Sequence, residues 1–243
     1  MKDKNDSFLE IIDITKAFRG LLAVSQISFN HRREETLGLI GPNGAGKTTL
    51  FNLITGYLKP TSGAIRFEGK DLVGLDSHEI CKEGITRTFQ IVKPFGHLSV
   101  LENVMVGCFN KTSNSKEAEE SAWELLNYVG LDHKALEPAD TLTTPDRKKL
   151  ELSRALGTKP RLLLLDEVMA GLNPKEQGEL VSLIHKVREG GISILVIEHH
   201  MRVITGLSDR IIVLDHGVCI ADGKPQEVCE NKKVIEAYLG KGA

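Results

Sequence analysis

The sequence predicts an α/β fold organised around a mainly parallel sheet, and three observations lead there. Residues 162–165 and 192–197 are nearly continuous apolar runs, each ending in acidic or histidine residues. A helical stretch, residues 174–188, separates them, the pattern of strands buried on both faces of a parallel sheet. The third observation is a glycine-rich turn at residues 41–46, placed between a strand-like run and a helical one.

In chain order, residues 8–14, 24–29 and 36–40 read as strands. Residues 47–57 read as a helix, because Leu50, Phe51, Leu53, Ile54 and Tyr57 recur at three- and four-residue spacing. The Lys59-Pro60-Thr61-Ser62-Gly63 cluster is a turn before a further strand at 63–67. Residues 75–158 have a helical texture, with an amphipathic helix at 116–129. Late strands at 210–214 and 218–220 suit a hairpin turning at Asp215-His216-Gly217, and one helical tail, 225–239, follows. The result is an α/β core interrupted by a helical insert.

The 243 residues make one large domain, or one domain with an insert, at about 150 residues per domain. Lysine and arginine number 31 against 33 acidic residues, a net charge of −2. Such a balance supplies no bulk basic field, so nucleic acid is not an expected partner. Hydrophobic residues at 41% exclude a disordered chain. Cys81, Cys108, Cys219 and Cys229 show no Cys-x-x-Cys spacing and are expected to be reduced, buried thiols of an intracellular protein. Residues 1–7 are polar and charged, which argues against a secretory leader. No apolar run approaches 18 residues, so no segment is expected to span a bilayer.

Gly41-Pro42-Asn43-Gly44-Ala45-Gly46-Lys47-Thr48 fits the P-loop pattern G-x-x-x-x-G-K-[ST] between a strand and a helix. Its glycines let successive N–H groups converge on a phosphate at a helix N-terminus. Lys47 is then expected on the β- and γ-phosphates of a nucleotide, Thr48 on Mg²⁺ and Thr49 on the α-phosphate. The bland alternative is a glycine turn without a ligand. Asp166 and Glu167 end the 162–165 run; Asp166 suits Mg²⁺ and Glu167 suits polarising the attacking water. Alone, that acidic pair equally fits a strand end in solvent. Lys47 and Asp166 are 119 positions apart, more than one strand–helix–strand crossover uses, so an insert must intervene.

The P-loop, Asp166-Glu167, Thr86-Arg87-Thr88-Phe89-Gln90 and Ile197-Glu198-His199-His200 together resemble the ATP-binding subunits of ABC transporters. The resemblance runs from about Leu9 to Gly240. Arg87-Thr88-Phe89-Gln90, Ala170-Gly171-Leu172-Asn173-Pro174, Ile197-Glu198-His199 and the 234–240 tail look most like branched-chain amino acid importers. It implies a P-loop NTPase core with a mainly parallel sheet, an N-terminal antiparallel β subdomain and an inserted helical subdomain. Residues 1–243 would be one ATP-binding domain, its insert at about 90–158. Gln90 would contact Mg²⁺, His199 would touch the γ-phosphate and hold Glu167 in line, and Phe18 would stack on adenine. Two ATP-binding domains, alike or different, would sandwich two ATP molecules at the cytoplasmic face of the membrane. They would work with transmembrane permease subunits and, indirectly, an extracytoplasmic solute-binding protein.

The family's signature loop, Leu-Ser-Gly-Gly-Gln, reads Leu142-Thr143-Thr144-Pro145-Asp146 here. Thr143 keeps a hydroxyl, but Pro145 has no N–H and Asp146 brings negative charge toward the partner's γ-phosphate. Locally the segment suits a helix start, with Thr144 as N-cap, Pro145 at N1 and Asp146 in the first turn. Arg147, Lys148 and Lys149 follow and can offset the acid. Asn173 and His200 each stand where many relatives have aspartate. Three other readings compete: a soluble ATPase acting on DNA or ribosomes, a small P-loop kinase or GTPase, and a module that holds ATP without hydrolysing it.

Overall fold

A computed structural model describes residues 7–89 and 93–239. The chain runs β1 (Ser7–Phe18), β2 (Leu21–Arg32), β3 (Thr36–Ile40), α1 (Lys47–Ile54), β4 (Ser62–Phe67), β5 (Lys70–Asp71), α2 (Ser77–Lys82) and β6 (Ile85–Arg87). Helices α3 (Val100–Cys108), α4 (Ser115–Val129) and α5 (Thr144–Gly157) come next, then β7 (Leu162–Asp166), α6 (Pro174–Glu189), β8 (Ser193–Ile197) and α7 (Met201–Leu207). Strands β9 (Arg210–Asp215) and β10 (Val218–Gly223) and helices α8 (Pro225–Cys229) and α9 (Lys232–Leu239) finish it.

Two sheets form. One is antiparallel, in the order β2-β1-β4-β5; the other has the order β10-β9-β3-β8-β7-β6, parallel throughout except for the β9–β10 hairpin. Every residue of β3, β7 and β8 is buried. Successive strand side chains point to opposite faces, and each face has its own core. Leu163, Leu165, Ile194 and Val196 pack with α3 to α6. Leu162, Leu164, Leu195 and Ile197 pack with α1 and the antiparallel sheet. Continuous apolar runs are therefore what two-sided burial requires.

Helices α3, α4 and α5 fill the chain between β6 and β7. Helix α4 buries Ala118, Ala122, Leu126 and Val129 along one face. Asn114 caps it by accepting the Lys116 N–H, and Gly130 ends it at φ 73°.

Several expectations need correction. Helix α1 stops at Ile54, because Gly56 turns the chain at φ 71° and leaves Tyr57 exposed. The 75–158 texture hides β6, whose three residues are too few to show a period. The tail is two helices; the chain leaves helical geometry after Glu230, and Asn231 uses its side chain to accept the Lys233 N–H. Thr143, not Thr144, is the N-cap of α5, which moves Pro145 to the second helical position. All four cysteines are free, yet only Cys108 is buried; Cys219 and Cys229 lie on an exposed hairpin edge and a short surface helix. Among the described residues, no helix is long and apolar enough to cross a membrane.

Candidate nucleotide site

The site lies at the carboxyl ends of three adjacent strands, β3, β8 and β7, where ligands of open α/β sheets bind. Strand β3 delivers the 41–48 loop, which bends so sharply that Gly41 takes φ 151°. A Cβ there would come within 2.1 Å of the Leu214 carbonyl oxygen, so only glycine fits beside β9. Gly46 meets the Ala23 carbonyl in the same way, at 2.4 Å. Ala23, residues 43–49, Glu167 and His199 line a cavity of about 190 Å³. Lys47 is buried and donates from Nζ to the carbonyls of Gly41 (2.7 Å) and Pro42 (3.0 Å). Burial pulls its pKa below the usual lysine range, while Glu167 and Asp166 oppose the shift.

Across the cavity, Glu167 follows β7 in a left-handed conformation, φ 48°. Its N–H donates to the Ile197 carbonyl at 3.0 Å, extending the β7–β8 ladder one step past Asp166. That step sets the Glu167 Oε1 2.6 Å from His199 Nε2. Thr48 is exposed in the first turn of α1. Hard oxygen donors, the Thr48 hydroxyl and the Asp166 carboxylate, fit magnesium. Only one carboxylate oxygen, Oδ2 of Asp166, is held, by Arg87; among the described residues Oδ1 carries no hydrogen bond.

Two supports were not assigned roles on sequence grounds. Arg87 is the first, and Glu198 the second. Glu198 is 2% exposed and accepts the Met169 N–H at 2.9 Å, which ties the chain after Glu167 to the residue before His199. Burial raises its pKa, and the hydrogen bonds to it act the other way. An acidic residue between Ile197 and His199 was the available signal.

The remaining expected residues are scattered. Phe18 sits at the tip of the β1–β2 hairpin, 41% exposed, with Lys16 Nζ 5.1 Å from its ring centre. Farther along the same hairpin, Ala23 and Val24 touch Gly46. Gln90 falls outside the described residues, as does Gly240 of the tail. Thr143 donates to Asp146 Oδ2 at 2.8 Å, and Lys134 Nζ lies 2.6 Å from the same atom. Partial burial would raise the Asp146 pKa, but these bonds overcome it and hold the carboxyl below its usual range. Of Arg147, Lys148 and Lys149, expected to offset this acid, Lys149 acts on it through its charge while Arg147 donates to the Asp140 carbonyl at 2.6 Å; the direct partner is Lys134. His200 faces Glu198 at 3.9 Å, whereas its neighbour His199 meets Glu167.

A glycine-built loop at a helix N-terminus, facing an acidic strand end in a parallel sheet, defines a P-loop nucleotide-binding protein. Within that class the chain belongs to the ABC transporter family: residues 24–170 match the family profile described as ABC transporter. Residues 218–243 match a second profile, branched-chain amino acid ATP-binding cassette transporter. The chain is 40% identical over 248 residues to the high-affinity branched-chain amino acid transport ATP-binding protein BraF of Pseudomonas aeruginosa, covering 96% of this chain and 97% of BraF. A nucleotide-free ATP-binding cassette from an ABC transporter superposes with TM-score 0.89 at 30% identity, covering 97% and 100%. The dimeric bacterial ABC transporter cassette MJ0796 superposes with TM-score 0.81 at 25% identity, covering 89% and 98%.

Proposed function

We propose that this chain is the ATP-hydrolysing subunit of an importer for branched-chain amino acids or related small polar solutes, seated at the cytoplasmic face of the membrane. The names of BraF and of the C-terminal profile support the solute class. One observation carries the hydrolytic reading: His199 and Glu167 meet at 2.6 Å over the cavity that Lys47 and the loop glycines line. Such a pair suits a base held in line by its neighbour. A soluble ATPase uncoupled from transport is not favoured, because a relative matching nearly end to end is named as a transport subunit.

In this reading the 41–46 loop cradles the phosphates: Gly41, Asn43, Gly44, Ala45 and Gly46 offer backbone N–H groups, and Pro42, which has none, shapes the turn between them. Lys47 exchanges its two carbonyl partners for β- and γ-phosphate oxygens, and Thr49 donates to the α-phosphate. Phe18 stacks on adenine from the hairpin tip. Thr48, Asp166 and Gln90 hold Mg²⁺, which when bound draws charge from the phosphate oxygens. Glu167 takes a proton from the attacking water, while His199 keeps that carboxylate aligned. Two ATP-binding domains close on two ATP molecules, each offering its Thr143 loop to the other, and the 90–158 segment passes the motion to permease subunits. Exposed Phe89, Phe95 and Val106 beside a groove lined by Lys93 and Arg154 support that contact surface.

The test is Glu167→Gln in the assembled complex. ATP binding is expected to persist while turnover and transport fall by roughly 10²–10⁴-fold. Unchanged turnover would remove Glu167 from the chemistry.

A further inference from the structure

Arg87 ends β6, next to the strand that delivers Asp166. Its Nη2 lies 2.5 Å from Asp166 Oδ2 and its Nη1 donates to Asn52 Oδ1 of α1, also at 2.5 Å. The two charged side chains are 6% and 5% exposed. The guanidinium packs between two rings, 5.5 Å from the centre of Phe51 and 5.2 Å from that of Phe89. Thr88, the next residue, receives the Asp166 N–H on Oγ1 at 3.3 Å. Backbone and side chain of Asp166 are therefore both held from β6.

Asn52 is four residues after Thr48 on α1. Positions i and i+4 share one helix face. Arg87 thus connects the Asp166 carboxylate to the helix face that carries the Thr48 hydroxyl. A rigid planar fork can do this; the single ammonium of lysine cannot reproduce two fixed directions. Among the described residues only Oδ2 is taken, so the other carboxylate oxygen can meet a ligand.

The geometry points to Arg87 as a positioning residue for the divalent cation: by bridging Asp166 to Asn52, it fixes the separation of the Asp166 carboxylate from the Thr48 hydroxyl. This rests on the reading of Asp166 as a cation ligand. Partners that orient a metal ligand typically change affinity by roughly 10–100-fold when removed.

The experiment measures, on the full chain, affinity for a fluorescent ATP analogue with magnesium and with EDTA. The ratio of the two affinities isolates the cation. Asp166→Asn is expected to collapse the ratio, and Arg87→Met to lower it by roughly tenfold while the EDTA value holds. Arg87→Lys restores melting temperature toward wild type without restoring the ratio. Asn52→Ala lowers the ratio less than Arg87→Met, and decides the matter if Arg87→Met does not fold. A ratio unchanged by Asp166→Asn overturns the cation reading itself. A ratio that falls in Asp166→Asn but stays at the wild-type value in Arg87→Met, or in Asn52→Ala where that variant decides, overturns the role of Arg87.

Discussion

His199 Nε2 and Glu167 Oε1 stand 2.6 Å apart although 32 positions separate the residues in the chain. Strand pairing accounts for it: Asp166 is in register with Ile197, and Glu167, the residue after β7, still bonds to the Ile197 carbonyl. The imidazole is 38% exposed and the carboxylate 19%, so the pair sits at the lip of the cavity. Water and a phosphate can both reach it.

On the proposed reading His199 orients Glu167, so its loss should act on turnover and not on binding. His199→Ala is expected to lower kcat roughly a hundredfold, within the range for positioned acid–base groups, with KM little changed. His199→Gln retains an N–H donor and recovers part of the loss. Steady-state ATPase assays of the assembled transporter check this, and an equal rise in KM would assign His199 to uniform binding instead.

The loop glycines differ in what surrounds them. Gly41 and Gly44 both have positive φ, 151° and 80°, but a Cβ on Gly44 meets nothing within 4 Å. A Cβ on Gly41 would overlap the Leu214 carbonyl at 2.1 Å. Gly44→Ala therefore carries only backbone strain, about 1–2 kcal/mol. Gly41→Ala must also displace β9, and is expected to lower the melting temperature by a larger amount and to abolish nucleotide affinity. Differential scanning fluorimetry with and without ATP separates the two; equal losses would contradict the packing argument.

The sheet was legible because both of its faces are buried: β3, β7 and β8 announce themselves as apolar runs, and the loop after β3 as a spaced glycine pattern. Strand β6 was not legible, since Ile85, Thr86 and Arg87 carry one apolar side chain and no period. The proposed role of Arg87 at the cation site failed to appear for the same reason. Arg87 and Asp166 are 79 positions apart, and only the β6–β7 register brings them together. Lys134 behaves likewise: its pairing with Asp146 depends on how the loop after α4 folds back against α5. Glu198 was visible as a residue but not as a clamp, because its partner is a backbone N–H.

Folding stability should fall in mild acid through His31. This ring is fully buried at the end of β2, with Nε2 3.0 Å from the Ile194 carbonyl and no hydrogen-bond partner for Nδ1 among the described residues. Burial lowers its pKa below 6.5; Ile194 and the nearby Glu35 oppose the shift, and Arg210 adds to it. The unfolded chain takes up the proton first, so stability is complete above about pH 6.5 and declines below it. The decline continues until the folded-state pKa is reached, at no more than about 1.4 kcal/mol per pH unit. Urea melts between pH 7.5 and 5.5 check this. His31→Gln should flatten the profile in that window, and an unaltered slope would remove His31 from the effect.

The altered signature loop should limit the isolated chain. Pro145 has no N–H to give a phosphate, and Asp146 is bound internally by Lys134 and Thr143, which also occupies the one hydroxyl that survives from the family pattern. A missing charge-assisted hydrogen bond is worth about 1.5–3 kcal/mol, or roughly ten- to a hundredfold. Pro145→Gly with Asp146→Gln releases Thr143 and restores an N–H at position 145. ATPase of the isolated double variant is expected to rise by that factor, steeply with protein concentration because two copies must meet. Wild-type chain should reach comparable turnover only when mixed with a partner whose signature is intact. If the double variant turns over no faster than wild type at every concentration, the loop is not what limits hydrolysis.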